Sequence, residues 1–221
     1  MPRLLHLDSS ADTTRSTSRE LTRAFADAWR ALGPSFDVTY RDLHADPVPH
    51  LAASALHWAP RLRHADEAPD PRACALQDQL VAELLAADVL LVGAPMYNWS
   101  IPSSLKAWID QVHVMGLTAP FDTEERPLAG RPAVVVATRG AGYGPGSPTE
   151  GWDHTVPPLE LVFGQSLGMA ISVISAEFTL ASRVPAMAPL RDRAEVNLQT
   201  ALRAATDLAT QLGQLLTSGE Q

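Results

Sequence analysis

The chain has 221 residues, 46% of them hydrophobic, with 17 Lys and Arg against 25 Asp and Glu for a formal net charge of -8. That size bounds it at a single domain over 1–221 which needs no disulfide or metal staple to hold a core. The acidic balance argues against nucleic acid or an anionic membrane as partner, and the lone Cys74 excludes an intramolecular disulfide and a CxxC site. No apolar run approaches the roughly 20 residues of a membrane span. The opening Met1–Asp8 is charged too early for a signal peptide, so a cytoplasmic location is expected. In chain order, Leu4–Leu7 is a short apolar run that predicts a buried strand. A hydroxyl-rich stretch, Ser9 to Ser18, follows, and then Leu21, Phe25, Trp29 and Leu32 at helical spacing, stopped by Gly33-Pro34. Phe36, Val38 and Tyr40 alternate with polar residues and predict a second strand. Residues 44–71 are rich in Pro, His, Asp and Ala and predict a long connection with one short helix near 52–58. Connections of that length are uncommon and often functional, and a pocket lid is one reading of this one.

Leu76, Leu80, Leu84 and Leu85 mark the next helix. Val89–Ala94 is continuous and apolar, as strands inside a parallel sheet are. Pro102 fits the first turn of a helix carrying Leu105, Trp108, Ile109 and Val112. Ala133–Ala137 predicts a fourth strand, 155–167 a helix, Ile171–Ile174 a fifth strand, and 190–216 a long amphipathic helix ending near Ser218-Gly219. Strands alternating with helices imply a three-layer α/β sandwich with a five-stranded parallel sheet, and right-handed crossovers favour the order 2-1-3-4-5. Trp29 and Trp108 fall on apolar helix stripes and belong to the core. Cys74 reads as a buried small hydrophobe.

In such sheets ligands bind outside the carboxyl ends of the strands. Three segments are nominated. In the first, Ser10, Ser16, Thr17 and Ser18 surround a helix start, where free N–H groups and hydroxyls suit a terminal phosphate held end-on. The second is Ala94-Pro95-Met96-Tyr97-Asn98-Trp99-Ser100-Ile101-Pro102, whose Met and aromatics offer surface to a planar ring. The third is Thr138-Arg139-Gly140-Ala141-Gly142-Tyr143-Gly144-Pro145-Gly146, whose backbone freedom suits close approach to a ligand.

The second segment closely resembles the flavin-contacting loop of the FMN-dependent NADH:quinone oxidoreductases, or azoreductases, of the flavodoxin-like fold. The third is similar to that family's Ser-Arg-Gly-Gly loop, with Thr138 for Ser and Ala141 for the second Gly. The resemblance implies non-covalent FMN, with Ser10, Ser16, Thr17 and Ser18 at its phosphate. It places Met96, Tyr97, Asn98 and Trp99 at the ring, and Thr138, Arg139, Gly140 and Ala141 at the pyrimidine edge. It further implies two-electron ping-pong transfer from NADH or NADPH through flavin N5 to a quinone or azo compound, no catalytic side chain, and a homodimer. Phe121 and His154 fall where family members place groups near the substrate face. A non-enzymatic electron carrier or flavin-binding regulator is the alternative.

Three other patterns are set aside. Gly164-Gln165-Ser166-Leu167-Gly168 matches a nucleophile elbow, but a helix precedes it and a strand follows, the reverse of what the elbow needs. The glycines at 140, 142, 144 and 146 fail the GxGxxG spacing and follow the fourth strand. His50, His57 and His64 recur every seven residues, but Pro60 interrupts any helix that would align them for a metal.

Overall fold

A computed structural model describes residues 1–218. The chain runs β1 (Arg3–Asp8), α1 (Thr17–Ala31), β2 (Asp37–Asp42), α2 (Pro71–Ala86), β3 (Val89–Pro95), α3 (Ser103–Val112), β4 (Pro132–Thr138), α4 (Val156–Leu159), β5 (Ala170–Ala176) and α5 (Arg191–Ser218). All four strand pairings are parallel, in the expected order β2-β1-β3-β4-β5. The register aligns Asp42 with Asp8, Asp8 with Gly93, Pro95 with Thr138, and Thr138 with Ala176. The carboxyl ends of all five strands therefore open onto one edge.

Alternation along each strand divides the core in two. Leu5, Leu7, Leu90, Val92, Ala133 and Val135 face Trp108 of α3 and Leu80 and Leu84 of α2. Leu4, Leu91, Val134 and Val136 face Phe25 and Trp29 of α1 and Ala201, Ala205 and Ala209 of α5. Trp29 and Trp108 are both fully buried, as their helix stripes predict. Gly93 is small for a reason: a Cβ there would meet Asp8 Oδ1 at 2.9 Å and Thr22 Cγ2 at 3.2 Å. The absence of a side chain lets α1 sit close over the end of β1.

Four details differ from the sequence reading. Pro102 stands at the N-cap of α3, one residue before its first turn. The helix expected over 155–167 opens at Val156 and widens into a π-helix over Glu160–Ser166. Closing bonds from Leu167 N–H to Val162 O and from Met169 N–H to Phe163 O accompany this, and Phe163 is buried edge-on to Trp108. The one short helix expected near 52–58 is two 3₁₀ turns, Ser54–His57 and Pro60–Leu62. Cys74 is only half-buried, with Sγ 3.9 Å from an Arg63 nitrogen. The helix α5 reaches Ser218; the expected end at Gly219 lies outside the described residues.

The 44–71 segment is tied to α2 and α3. Gln77 Nε2 donates to Leu56 O at 2.8 Å, Gln111 Nε2 donates to Pro49 O at 3.1 Å, and Met115 N–H donates to His57 O. His50, His57 and His64 are all exposed. Among the described residues no cluster of His, Cys, Asp or Glu could hold a metal ion, and no helix is long and apolar enough to cross a membrane.

Candidate active site

The loop after β1 turns back on itself around Asp12, whose Oδ1 accepts the N–H of Thr14 at 3.1 Å and of Arg15 at 2.8 Å. Those bonds hold the Asp12 carboxyl below its ordinary range. Ser16 then caps α1, its hydroxyl accepting from Arg19 N–H and pairing with Ser18 Oγ at 3.0 Å. Ser9 faces inward and donates to Gly93 O at 2.6 Å, whereas Ser10 points toward the loop after β3 and lies 3.2 Å from Tyr97 Oη. Ser16 and Thr17, at the start of α1 where backbone N–H groups lack helical partners, line the cavity at the open carboxyl edge.

Beneath this loop is a buried ionic network. Arg19, with 8% of its side chain exposed, donates to both Asp42 oxygens at 2.7 and 2.8 Å and to Ser10 O at 2.7 Å. Its NH1 lies 3.6 Å from Asp8 Oδ2, to which Tyr40 Oη donates at 3.1 Å. Arg19 holds the Asp42 carboxyl far below the usual range, and the pairing pushes the guanidinium further up. Burial pushes Asp8 up, but the bonds and charges of His6, Thr22 and Arg19 outweigh it, so its carboxyl stays low. Burial and the nearby Asp8 charge push the Tyr40 phenol up to about 12.

The loop after β3 is a tight reversal. Tyr97 N–H donates to Ser100 O at 2.8 Å and Ser100 N–H donates back to Tyr97 O at 3.1 Å. Asn98 and Trp99 between them have φ of 49° and 67°, the geometry of a type I′ turn. Asn tolerates that region readily; a Trp there is strained. Tyr97 Oη accepts Ala11 N–H at 2.8 Å, so this loop and the hydroxyl-rich loop are joined. Trp99 is half exposed and meets Trp152 edge-on with ring centroids 5.7 Å apart.

The third loop follows β4. Thr138 O accepts Met96 N–H at 2.8 Å. Arg139 is buried, pairs with Asp153, and lies 3.6 Å from Glu177. Its guanidinium is thus a brace behind the loop. Gly140 faces the turn after β5, where a Cβ would meet Leu180 Cδ1 at 2.6 Å.

One cavity of about 590 Å³ joins the three loops; its lining includes Ser10, Ser16 and Thr17, then Met96 and Tyr97, then Thr138 and Gly140. Seven further lining residues are Asp12, Arg15, Pro95, Thr179, Leu180, Ser182 and Arg183. Not all expected residues line it. Ser18 is buried beneath Ser16, Asn98 and Trp99 form the outer tip of their turn, and Ala141 faces a neighbouring cavity. His154 sits beside the Trp99 turn, its N–H donating to Trp99 O at 2.9 Å and its carbonyl accepting from Ser100 Oγ at 3.1 Å. Phe121 is on a separate exposed patch against Trp58. No residue of 44–71 lines the cavity.

The sequence reading did not single out Arg19, Asp42, Tyr40 or the turn 177–183. The turn was findable, because it too leaves a strand's carboxyl end. The elbow-like Ser166 did acquire a histidine: its Oγ is 2.7 Å from His113 Nε2, and burial pushes that imidazole's pKa down. The pair lies at the end of α3, away from the carboxyl edge. Among the described residues no carboxylate hydrogen-bonds His113 to complete a triad.

The donor set fits FMN. Neutral hydroxyls and helix N–H groups stand at one end of the cavity, Met and Tyr surface in the middle, and a loop with no side chain at Gly140 at the other. Its volume is within the 300–1,000 Å³ range of small-molecule sites. A family model described as flavodoxin-like fold matches residues 2–196. An FMN-dependent NADH:quinone oxidoreductase of Kineococcus radiotolerans is 54% identical over 212 residues, covering 96% of this chain and all of that one. A protein of the same description from Streptomyces coelicolor is 41% identical over 222 residues, covering 99% and 98%. A crystal structure of azoreductase from Bacillus anthracis superposes with a TM-score of 0.80 at 20% identity, over 96% of this chain and 100% of that one. That structural likeness concerns the fold.

Proposed function

Because this chain belongs to the FMN-dependent NADH:quinone oxidoreductases of the flavodoxin-like fold, we propose that it is a single-domain enzyme that oxidises NADH or NADPH and reduces a quinone or an azo compound. The observation that carries the reading is the one cavity in which a hydroxyl-lined helix start, a Met-Tyr loop and a glycine loop converge. FMN, when bound there without a covalent link, supplies the two-electron redox chemistry.

The chain's own contribution is orientation. Ser10, Ser16, Thr17 and the N–H groups of α1 would hold the phosphate, with Ser18 supporting Ser16 from below. Hydrogen bonds to a charged group contribute about 1.5–3 kcal/mol each, more than the roughly 0.3–1 kcal/mol of a helix dipole, so the hydroxyls and N–H groups dominate. Met96 and Tyr97 would lie against the ring. The strained Asn98-Trp99 turn fixes the backbone beside them and keeps two aromatics, Trp99 and Trp152, at the surface. Thr138 and Gly140 would meet the pyrimidine edge through their backbone, with Ala141 just outside the cavity, while Arg139 holds their loop through Asp153.

The exposed aromatics, with Phe121 and His154, suit a substrate face completed by a second copy of the chain, and we read the protein as a homodimer on that ground. Its half-buried free Cys74 suits a reducing, cytoplasmic setting. The test is turnover: FMN-loaded protein should consume NADH in step with a soluble quinone, at about one flavin per chain. Consumption no faster than with free FMN would contradict the reading and favour a carrier.

A further inference from the structure

The phosphate end of the cavity has a charge problem. Asp12 lines it, Asp8 and Asp42 lie beneath its loop, and one buried guanidinium, that of Arg19, is shared between those two. The whole chain is acidic as well. A phosphomonoester dianion brought to neutral hydroxyls in such surroundings would meet a repulsive field.

Two cations line the same cavity and have no strong partner. The Arg15 side chain is 75% exposed and 3.9 Å from Asp12, whose carboxylate already accepts two backbone N–H groups. Arg183 is exposed, and among the described residues no carboxylate lies within ion-pair distance of it. Its backbone is nonetheless well fixed. Arg183 N–H and Val184 N–H both donate to Leu180 O at 2.9 Å. Leu180 N–H in turn donates to Gly140 O at 3.3 Å and Thr179 N–H donates to Arg139 O at 3.1 Å. The turn after β5 is therefore tied to the loop after β4, and its Ser182 lines a second cavity together with Thr17 at the start of α1.

We propose that Arg183, with Arg15 on the loop after β1, forms a charge clamp on the phosphomonoester at this end of the cavity and makes the site select phosphorylated flavin over unphosphorylated flavin. The two guanidinium groups balance the carboxylates that Arg19 leaves uncompensated. Both are long, solvated side chains, so the clamp adds to affinity and to the rate of capture without being part of the fold. This inference rests on the FMN reading above.

The test is fluorescence titration of the deflavinated protein with FMN and with riboflavin, at low and high salt, for wild type, Arg183→Gln and Arg183→Lys. Wild type should bind FMN more tightly than riboflavin. Arg183→Gln should lose FMN affinity by roughly three- to tenfold, keep its riboflavin affinity and show a shallower salt dependence; Arg183→Lys should recover most of the loss. Wild type that binds FMN alongside an indifferent Arg183→Gln overturns the clamp alone, as does equal weakening of both flavins. A raised KM for NADH with unchanged FMN affinity also overturns it, by assigning the guanidinium to the nicotinamide's pyrophosphate. Wild type that takes up neither flavin overturns the cofactor reading and the clamp with it.

Discussion

The hydroxyl-rich loop after β1 and the aromatic loop after β3 meet in one cavity, yet they are held by opposite means. The first rests on buried charge: Arg19 reaches Asp42, Asp8 and the Ser10 carbonyl, and Asp12 gathers the loop's N–H groups. The second rests on its own backbone, a two-bond reversal carrying two residues at positive φ, with half its aromatic surface in solvent. A site for an anion needs donors aimed in advance, and buried ion pairs provide fixed directions. A site for a flat ring needs shape and open surface, which a strained exposed turn supplies.

That contrast can be broken most severely at Arg19. Arg19→Met leaves Asp8 and Asp42 without their guanidinium, and removing one partner of a buried ion pair typically costs about 3–5 kcal/mol. Urea unfolding should show that loss, together with loss of bound flavin. Replacing Ser16, Thr17 and Ser18 together with alanine acts on the ligand side. Flavin retention through gel filtration should fall, with Kd raised about a hundredfold, as two or more charge-assisted bonds disappear. Tyr97→Phe severs the link between the loops, removing the hydroxyl that accepts Ala11 N–H and pairs with Ser10. A stability loss of about 1 kcal/mol should accompany a shifted flavin absorbance band. Trp99→Gly should leave stability within about 1 kcal/mol of wild type, since relief of the positive φ offsets the lost Trp152 contact, while turnover falls.

The smallest effect is with pH. Asp8 and Asp42 are depressed in the folded chain, so their stabilisation is full above about pH 4 and is lost as acid titrates them. Tyr40 is raised to about 12, so its contribution is full below about pH 10 and is lost as pH climbs toward 12. Tyr40→Phe should therefore flatten the alkaline limb of the stability profile and leave the acid limb in place.

The sheet was legible because Val89–Ala94 and Ala133–Ala137 are apolar without interruption, which only strands buried on both faces require. Three of the four loops that line the cavity were legible from position and residue type. The Arg19–Asp42 pairing was not, because Asp42 sits at the end of an edge strand 23 residues away and looks like ordinary loop chemistry. The π-helical stretch at 160–166 was hidden because one extra residue per turn leaves composition unchanged. Nor does any residue type announce that Trp99 adopts a positive φ. The brace role of Arg139 was hidden too, since motif position suggests a ligand contact and only the fold brings up Asp153 and Glu177 behind it.

The most direct test of the whole account is the absorbance spectrum of the purified protein before and after anaerobic addition of NADH. The expected result is a yellow protein with flavin bands that bleach on addition. A colourless protein that also fails to take up added FMN would contradict it.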